Sequence, residues 1–108
     1  MNKKERQEII AREQAYGFTK KGPQWVVSAR GFETRSTGRY EMEYREGDRV
    51  LKLAREPLVD ADLIYLNDAR RWEPPHDAEP LTQEQRALIR DNIAAAMRFL
   101  RNGFKFDD

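Results

Sequence analysis

The chain has 108 residues, the length of one ordinary domain, and at this size folding can bury roughly two-thirds of the unfolded surface. Apolar residues make up 39% and charged residues 36%, which predicts a thin core under a charged skin, and 10% aromatics with runs such as WVV and LIYL exclude a disordered chain. Lysine plus arginine total 20 against 19 acids, so a net charge of +1 gives no strong whole-molecule pull toward nucleic acid or anionic membrane, and the absence of cysteine excludes disulfides and thiolate metal sites and fits a reducing compartment.

The opening MNKKERQEII carries charge without a following apolar stretch of signal-peptide length, and no apolar run approaches the roughly 18 residues of a membrane span. The expectation is a soluble, cytoplasmic protein. Composition predicts a helix over residues 3–16, stopped by Gly17. Its apolar content is thin, with Ile9, Ile10, Ala15 and Tyr16 as the main contributors. It is therefore expected to dock weakly, since a short helix persists through tertiary packing.

Gly22 and Pro23 punctuate, and QWVVSA follows as a strand that Gly31 breaks. ETRSTG, residues 33–38, is polar and rich in turn formers and reads as a loop. RYEMEYR alternates strictly, placing Tyr40, Met42 and Tyr44 on one face and Glu41, Glu43 and Arg45 on the other. Glu46-Gly47-Asp48 suits a tight hairpin. RVLKLAR returns with Leu51 and Leu53 on one face, and Pro57 ends it because proline cannot donate to a ladder. DLIYL, residues 62–66, is continuously apolar and suits a central strand buried on both faces.

The strongest helical pattern spans residues 83–101. Thr82 is the expected N-cap and Gln85 completes a capping box, with Pro80 restricting the approach. Leu88, Ile89, Ile93, Ala96, Met97 and Leu100 recur at three- and four-residue steps as one apolar stripe. Arg86, Arg90, Asp91, Arg98 and Arg101 fall largely opposite, and Gly103 reads as the stop. FKF adds a short edge strand. The order predicts an α+β fold: an antiparallel sheet of four to five strands, one long C-terminal helix across a face, and a short N-terminal helix. No repeat or boundary interrupts it, so residues 1–108 read as a single domain with 1–17 peripheral.

The rare residues gather in RRWEPPHDAEPLT, residues 70–82. His76 with Asp77 and Glu79 has the residue types of a metal or acid–base cluster. A metal site usually needs three or four convergent ligands, and no second histidine or cysteine exists. No Gly-x-Ser-x-Gly elbow surrounds Ser28 or any other serine, and no phosphate-binding glycine motif occurs. The residues therefore point to no catalytic, cofactor-binding or metal-binding set. WEPP has the form of a polyproline ligand, but it lies between a strand and a helix, where Pro74, Pro75 and Pro80 act as a rigid crossover and Trp72 covers the end of the core. Arg70, Arg71 and the helix arginines, with Trp72 nearby, are the groups a single-strand nucleic-acid binder would use, diluted by Glu84 and Asp91. Glu41 and Glu43 read as a solvated sheet face. A hydrolase would need carboxylates in a concave, apolar pocket.

The segment LIYLNDARRWEPPHDAEPLTQEQRALIRDNIAAAM, with Trp-x-Pro-Pro-x-Asp-x-Glu-Pro-Leu-Thr at its centre, resembles the immunity protein 74 family of bacterial polymorphic-toxin systems. YEMEYREGDRVLKLAREPL, residues 40–58, resembles that family's hairpin. The resemblance covers about residues 38–106, and the matching positions are Glu56, Trp72, Pro74, Pro75, Asp77, Glu79, Pro80 and Leu81. It implies a non-enzymatic protein that neutralises a cognate toxin domain by direct binding, with no cofactor. A partner surface edged by Trp72, Asp77 and Glu79 fits that role. Acids can mask a basic cleft, and a partly exposed tryptophan is a typical hot spot. A nucleic-acid-associated accessory protein using the arginine helix is the competing class, and a homodimer stays open.

Overall fold

The computed structural model describes residues 2–108 and, within them, every side chain except those of Ile9, Arg12 and Glu13. The part expected of Ile9 in the first helix therefore lies outside the described residues. Helix α1 (Lys3–Gln14) leads into β1 (Phe18–Gly22), β2 (Trp25–Ser28), β3 (Phe32–Gly38), β4 (Glu41–Glu46), β5 (Arg49–Pro57) and β6 (Asp62–Ile64); α2 (Gln83–Phe99) and β7 (Phe104–Phe106) follow. The fold is α+β, with the long C-terminal helix and short N-terminal helix expected.

The sheet differs from expectation. It has seven strands in sequence order, curled as a half-barrel, and its last pair, β6 with β7, is parallel. Two strands were hidden by composition. FTKKG has one apolar residue because β1 is an edge strand, where lysines also discourage pairing with other chains. ETRSTG reads as a loop, yet β3 buries Phe32 and Thr34 on the inner face and pairs with both β2 and β4. Threonine is β-branched and fits a pleated surface, a preference masked by its neighbours Ser36, Thr37 and Gly38.

The inner face is built by alternation. Val26, Phe32, Met42, Tyr44, Leu51 and Leu53 are buried, two positions apart within each strand that contributes a pair. Tyr40 breaks the expected set. Gly38 pairs with Glu41, so Tyr40 sits in the intervening turn and is 61% exposed. The β4–β5 turn is as expected, with Glu46 paired to Arg49 around Gly47 and Asp48. DLIYL forms a three-residue strand beside the sheet's edge rather than at its centre, with Ile64 and Leu66 buried and Leu63 and Tyr65 half-buried.

Helix α2 lays Ile89, Ile93, Ala96 and Met97 onto this face. Each isoleucine contributes about 1.5–3 kcal/mol by leaving water. The capping box forms: Gln85 N donates to Thr82 Oγ1 at 3.1 Å and Thr82 N to Gln85 Oε1 at 3.0 Å. Leu88 does not join the stripe; it is 56% exposed, and Asn92 holds a buried position instead. Asn92 Nδ2 donates to Tyr44 Oη at 2.9 Å, which satisfies a polar group inside the core.

The helix also ends differently from expectation. Arg101, not Gly103, takes the left-handed position, with φ 60°. Arg101 N donates to Arg98 O at 3.0 Å and Asn102 N to Met97 O at 2.9 Å, the two bonds of a Schellman motif. Gly103 serves a close approach: a Cβ there would lie 2.4 Å from Asp60 O, and Gly103 O accepts from Asp62 N at 2.9 Å.

Every described side chain of α1 is exposed. The anchor comes just after it. Tyr16 O accepts from Ala29 N at 2.9 Å and from Ser28 Oγ at 2.5 Å, and the Tyr16 ring stacks on Phe18 at 5.3 Å. Gly17, φ 59°, turns the chain where a Cβ would stand 2.8 Å from Ala29 Cβ.

Candidate functional site

The segment singled out by its rare residues closes on itself before it meets the sheet. Arg71 bridges to Pro80, and inside that loop His76 N donates to Glu73 O and Glu79 N to His76 O, both at 3.0 Å. The Pro74–Pro75 peptide bond is cis. Trp72 drops from the loop's first limb into the core. It is 3% exposed and stacks on Tyr44 with ring centroids 6.4 Å apart. The partly exposed tryptophan expected from the sequence is thus a buried one. Aromatic area is the largest hydrophobic payload the loop carries, and packing on Tyr44 at the sheet's end takes it out of water.

The loop is then fastened to the β4–β5 turn. Glu73 N donates to Val50 O at 2.8 Å. Arg49 grips Glu79 with two bonds, Nε to Oε2 at 2.8 Å and Nη2 to Oε1 at 3.0 Å. That guanidinium holds the Glu79 carboxyl below the usual carboxylate range, first through the hydrogen bond and then through its charge, and Arg49 is raised in return. His76 lies beside both acids, its Nε2 3.4 Å from Asp48 Oδ2 and its Nδ1 3.9 Å from Glu79 Oε1. Asp77 is exposed, and its carbonyl accepts from Arg71 at 3.1 Å. The structure therefore brings Glu79, His76 and Asp48 together, puts Asp77 on the outer surface, and separates Trp72 from all of them. Among the described residues, no group of three or more His, Asp or Glu side chains is arranged to hold a metal ion.

Behind Trp72 lies the most strongly perturbed group. Tyr44 Oη donates to Glu46 Oε1 and accepts from Asn92. Burial, then the Glu46 carboxylate, pushes this phenol well above its ordinary pKa. A phenol held neutral in this way braces Trp72 and α2 against β4.

The helix arginines are engaged within the chain. Arg86 Nη1 donates to Leu66 O at 2.6 Å and Ala69 O at 2.7 Å, and Arg90 bonds Asp108 while stacking 4.7 Å over Phe106.

A second concave feature escaped sequence reasoning. At the opposite end of β4 and β5, an open cleft of about 500 Å³ gathers Arg39 from the β3–β4 turn, Arg55 from β5 and Arg101 after α2. Tyr40 and Leu58 are exposed and Val59 is fully exposed in the same region. These residues are scattered over 60 positions with no shared motif, so only the turn between Gly38 and Glu41 and the helix end reveal the grouping.

The family model for immunity protein 74 matches residues 36–107. The chain belongs to the immunity protein 74 family. The matched region runs from the end of β3 to the end of β7, so the residue 71–80 loop and Arg39, Arg55 and Arg101 lie inside the immunity protein 74 region, while α1, β1 and β2 lie outside it. No curated protein and no solved structure matches the chain. No helix among the described residues is long and apolar enough to cross a membrane.

Proposed function

We propose that this chain is a non-enzymatic, cytoplasmic immunity protein that neutralises a cognate bacterial toxin domain by binding it directly. The observation that carries the reading is the family match over residues 36–107, which takes in the β4–β5 hairpin, the Trp72–Thr82 segment and α2. The geometry supports a recognition role for that segment. Its backbone is tied to itself and to Val50, and a pre-organised surface loses less ordering entropy on binding. Asp77 faces outward from this frame as an acid for a basic toxin surface, and Glu79, exposed but held by Arg49, edges the same surface. Trp72 acts from beneath by fixing the frame.

The competing nucleic-acid reading needs guanidinium groups free along α2. Arg86 and Arg90 already hold carbonyl and carboxylate partners, which weakens that reading. The test is co-expression in a bacterial host of this chain with C-terminal toxin domains of bacterial polymorphic-toxin proteins. Restored growth and a stable complex on gel filtration are expected. Unrelieved toxicity without a complex refutes the reading, and binding to generic DNA or RNA that falls steeply with salt supports the competitor.

A further inference from the structure

The cleft at the far end of the sheet has a fixed floor and a free rim. Arg55 is the floor. Its Nη2 donates to Ser36 Oγ at 2.7 Å and to Gly38 O, and its Nη1 stands 3.9 Å from Asp62 Oδ2. Those bonds tie β5 to the end of β3 and hold the cleft's shape. The rim carries Arg39 and Arg101, whose guanidinium groups have neither an ion pair nor a hydrogen bond among the described residues; Arg39 only lies 5.4 Å over the Tyr40 ring. This contrasts with Arg35, Arg45, Arg49, Arg86 and Arg90, each of which grips an acid or a carbonyl of its own chain.

Arg101 is informative for a second reason. It occupies a left-handed backbone position at the end of α2, where glycine has no steric penalty and an L side chain does. A cation at a helix C-terminus offsets part of that penalty through the helix dipole. A strained non-glycine residue facing a cleft is the kind of outlier from which function is inferred.

We propose that this cleft docks a carboxylate-bearing loop of the toxin domain, with Arg39 and Arg101 as its anion-binding rim and Leu58 and Pro57 as the apolar part of its lining; the exposed Val59 and Tyr40 are chain neighbours of lining residues and flank it. The inference rests on the immunity reading above and adds a second contact, at the other end of the sheet, with its chemistry. Two features select a protein acid over a nucleic-acid strand. Asp60 and Asp62 line the same cleft and Arg55 is already bonded at its floor, so two free guanidinium groups remain, enough for one carboxylate and too few for a run of phosphates. The exposed Tyr40 beside the two arginines also matches the tyrosine-and-arginine composition of protein hot spots. Arginine forks hold carboxylates through paired hydrogen bonds, which gives such a contact direction as well as attraction.

The test uses the full chain and the toxin domain whose toxicity it relieves in co-expression, with affinity read by calorimetry at two salt concentrations. Arg101→Gly is the decisive variant, because it removes the guanidinium while relieving the backbone, so folding is retained or improved. Arg101→Gly combined with Arg39→Ala is expected to weaken binding by about tenfold or more and to flatten its salt dependence. Val59→Ser is expected to weaken it without changing the salt dependence. Lys52→Ala, on the outer sheet face, is expected to bind as the wild type does. Wild-type binding with the double variant inside twofold overturns the cleft and leaves the immunity reading standing. Absence of wild-type binding overturns both. Salt-sensitive binding of generic single-stranded DNA that Arg39→Ala and Arg101→Gly abolish also overturns the proposal, in favour of a nucleic-acid cleft.

Discussion

The two ends of the half-barrel use the same residue types in opposite ways. At the end closed by residues 71–80, Arg49 is matched by Glu79, His76 sits against Asp48, and the one large aromatic of the loop is buried on Tyr44. At the other end Arg39 and Arg101 have no ion pair or hydrogen bond among the described residues, and Tyr40, Leu58 and Val59 are exposed. β4 has six residues, so the two ends are only about 20 Å apart. The lesson is that a charged residue's availability is decided by its neighbours. The closed end contains the rare sequence features and uses most of them for structure, leaving Asp77 outward, while the open end has ordinary residues left over for a partner.

Truncating Trp72 should give the largest effect. Trp72→Ala leaves a cavity over Tyr44 and is expected to cost about 3–5 kcal/mol in urea unfolding. A loss under 1 kcal/mol would mean the closed end is not closed by this ring. At the open end, Gly103→Ala drives a Cβ against Asp60 O and should cost about 1–3 kcal/mol, since backbone there must move. An unchanged midpoint would show that the cleft's wall is soft.

Tyr44 offers a pH test of the closed end. Its folded-state pKa is raised, so the neutral phenol's contribution is complete below the unfolded value of about 10 and is lost as pH rises beyond it. Stability should therefore fall above about pH 10, and Tyr44→Phe should flatten that fall while weakening the fold at neutral pH through the stranded Asn92 donor. Alkaline profiles that superimpose would argue against a buried phenol.

Arg101→Gly should raise stability by up to about 1 kcal/mol, the left-handed penalty less the dipole term. A clear destabilisation would mean the guanidinium is structural. The smallest effect belongs to Glu79→Gln. The ion pair is exposed, and such pairs contribute little in salt. Because the Glu79 pKa is lowered, whatever it contributes is present above the unfolded value of about 4.3 and lost as pH falls through the folded one. Wild type should be only slightly the more stable near neutral pH, and its acid titration should converge with that of the variant at the acidic end.

Much of this was legible from residue patterns. The capping box of Thr82 and Gln85, the strict alternation of Met42 and Tyr44, and the Gly47 turn depend on neighbours within a few positions, so local chemistry suffices. The Trp72–Thr82 segment disclosed the family for the same reason. β1 and β3 were missed because a strand's stability comes from its partners, and FTKKG and ETRSTG show little β character until β2 and β4 lie beside them. Leu88 was placed in the core because periodicity ranks apolar residues alike, whereas the helix's rotation on the sheet buries Asn92 instead.

Sequence by itself determined the elements with strong local signals, the α+β class and the family, because capping, turn chemistry and alternation act over short distances. Tertiary structure decided which charges are engaged and which are free. Arg49 and Arg101 are the same residue type, and only the approach of Glu79 to one and the open cleft beside the other makes the first a clasp and the second a candidate hand for a partner.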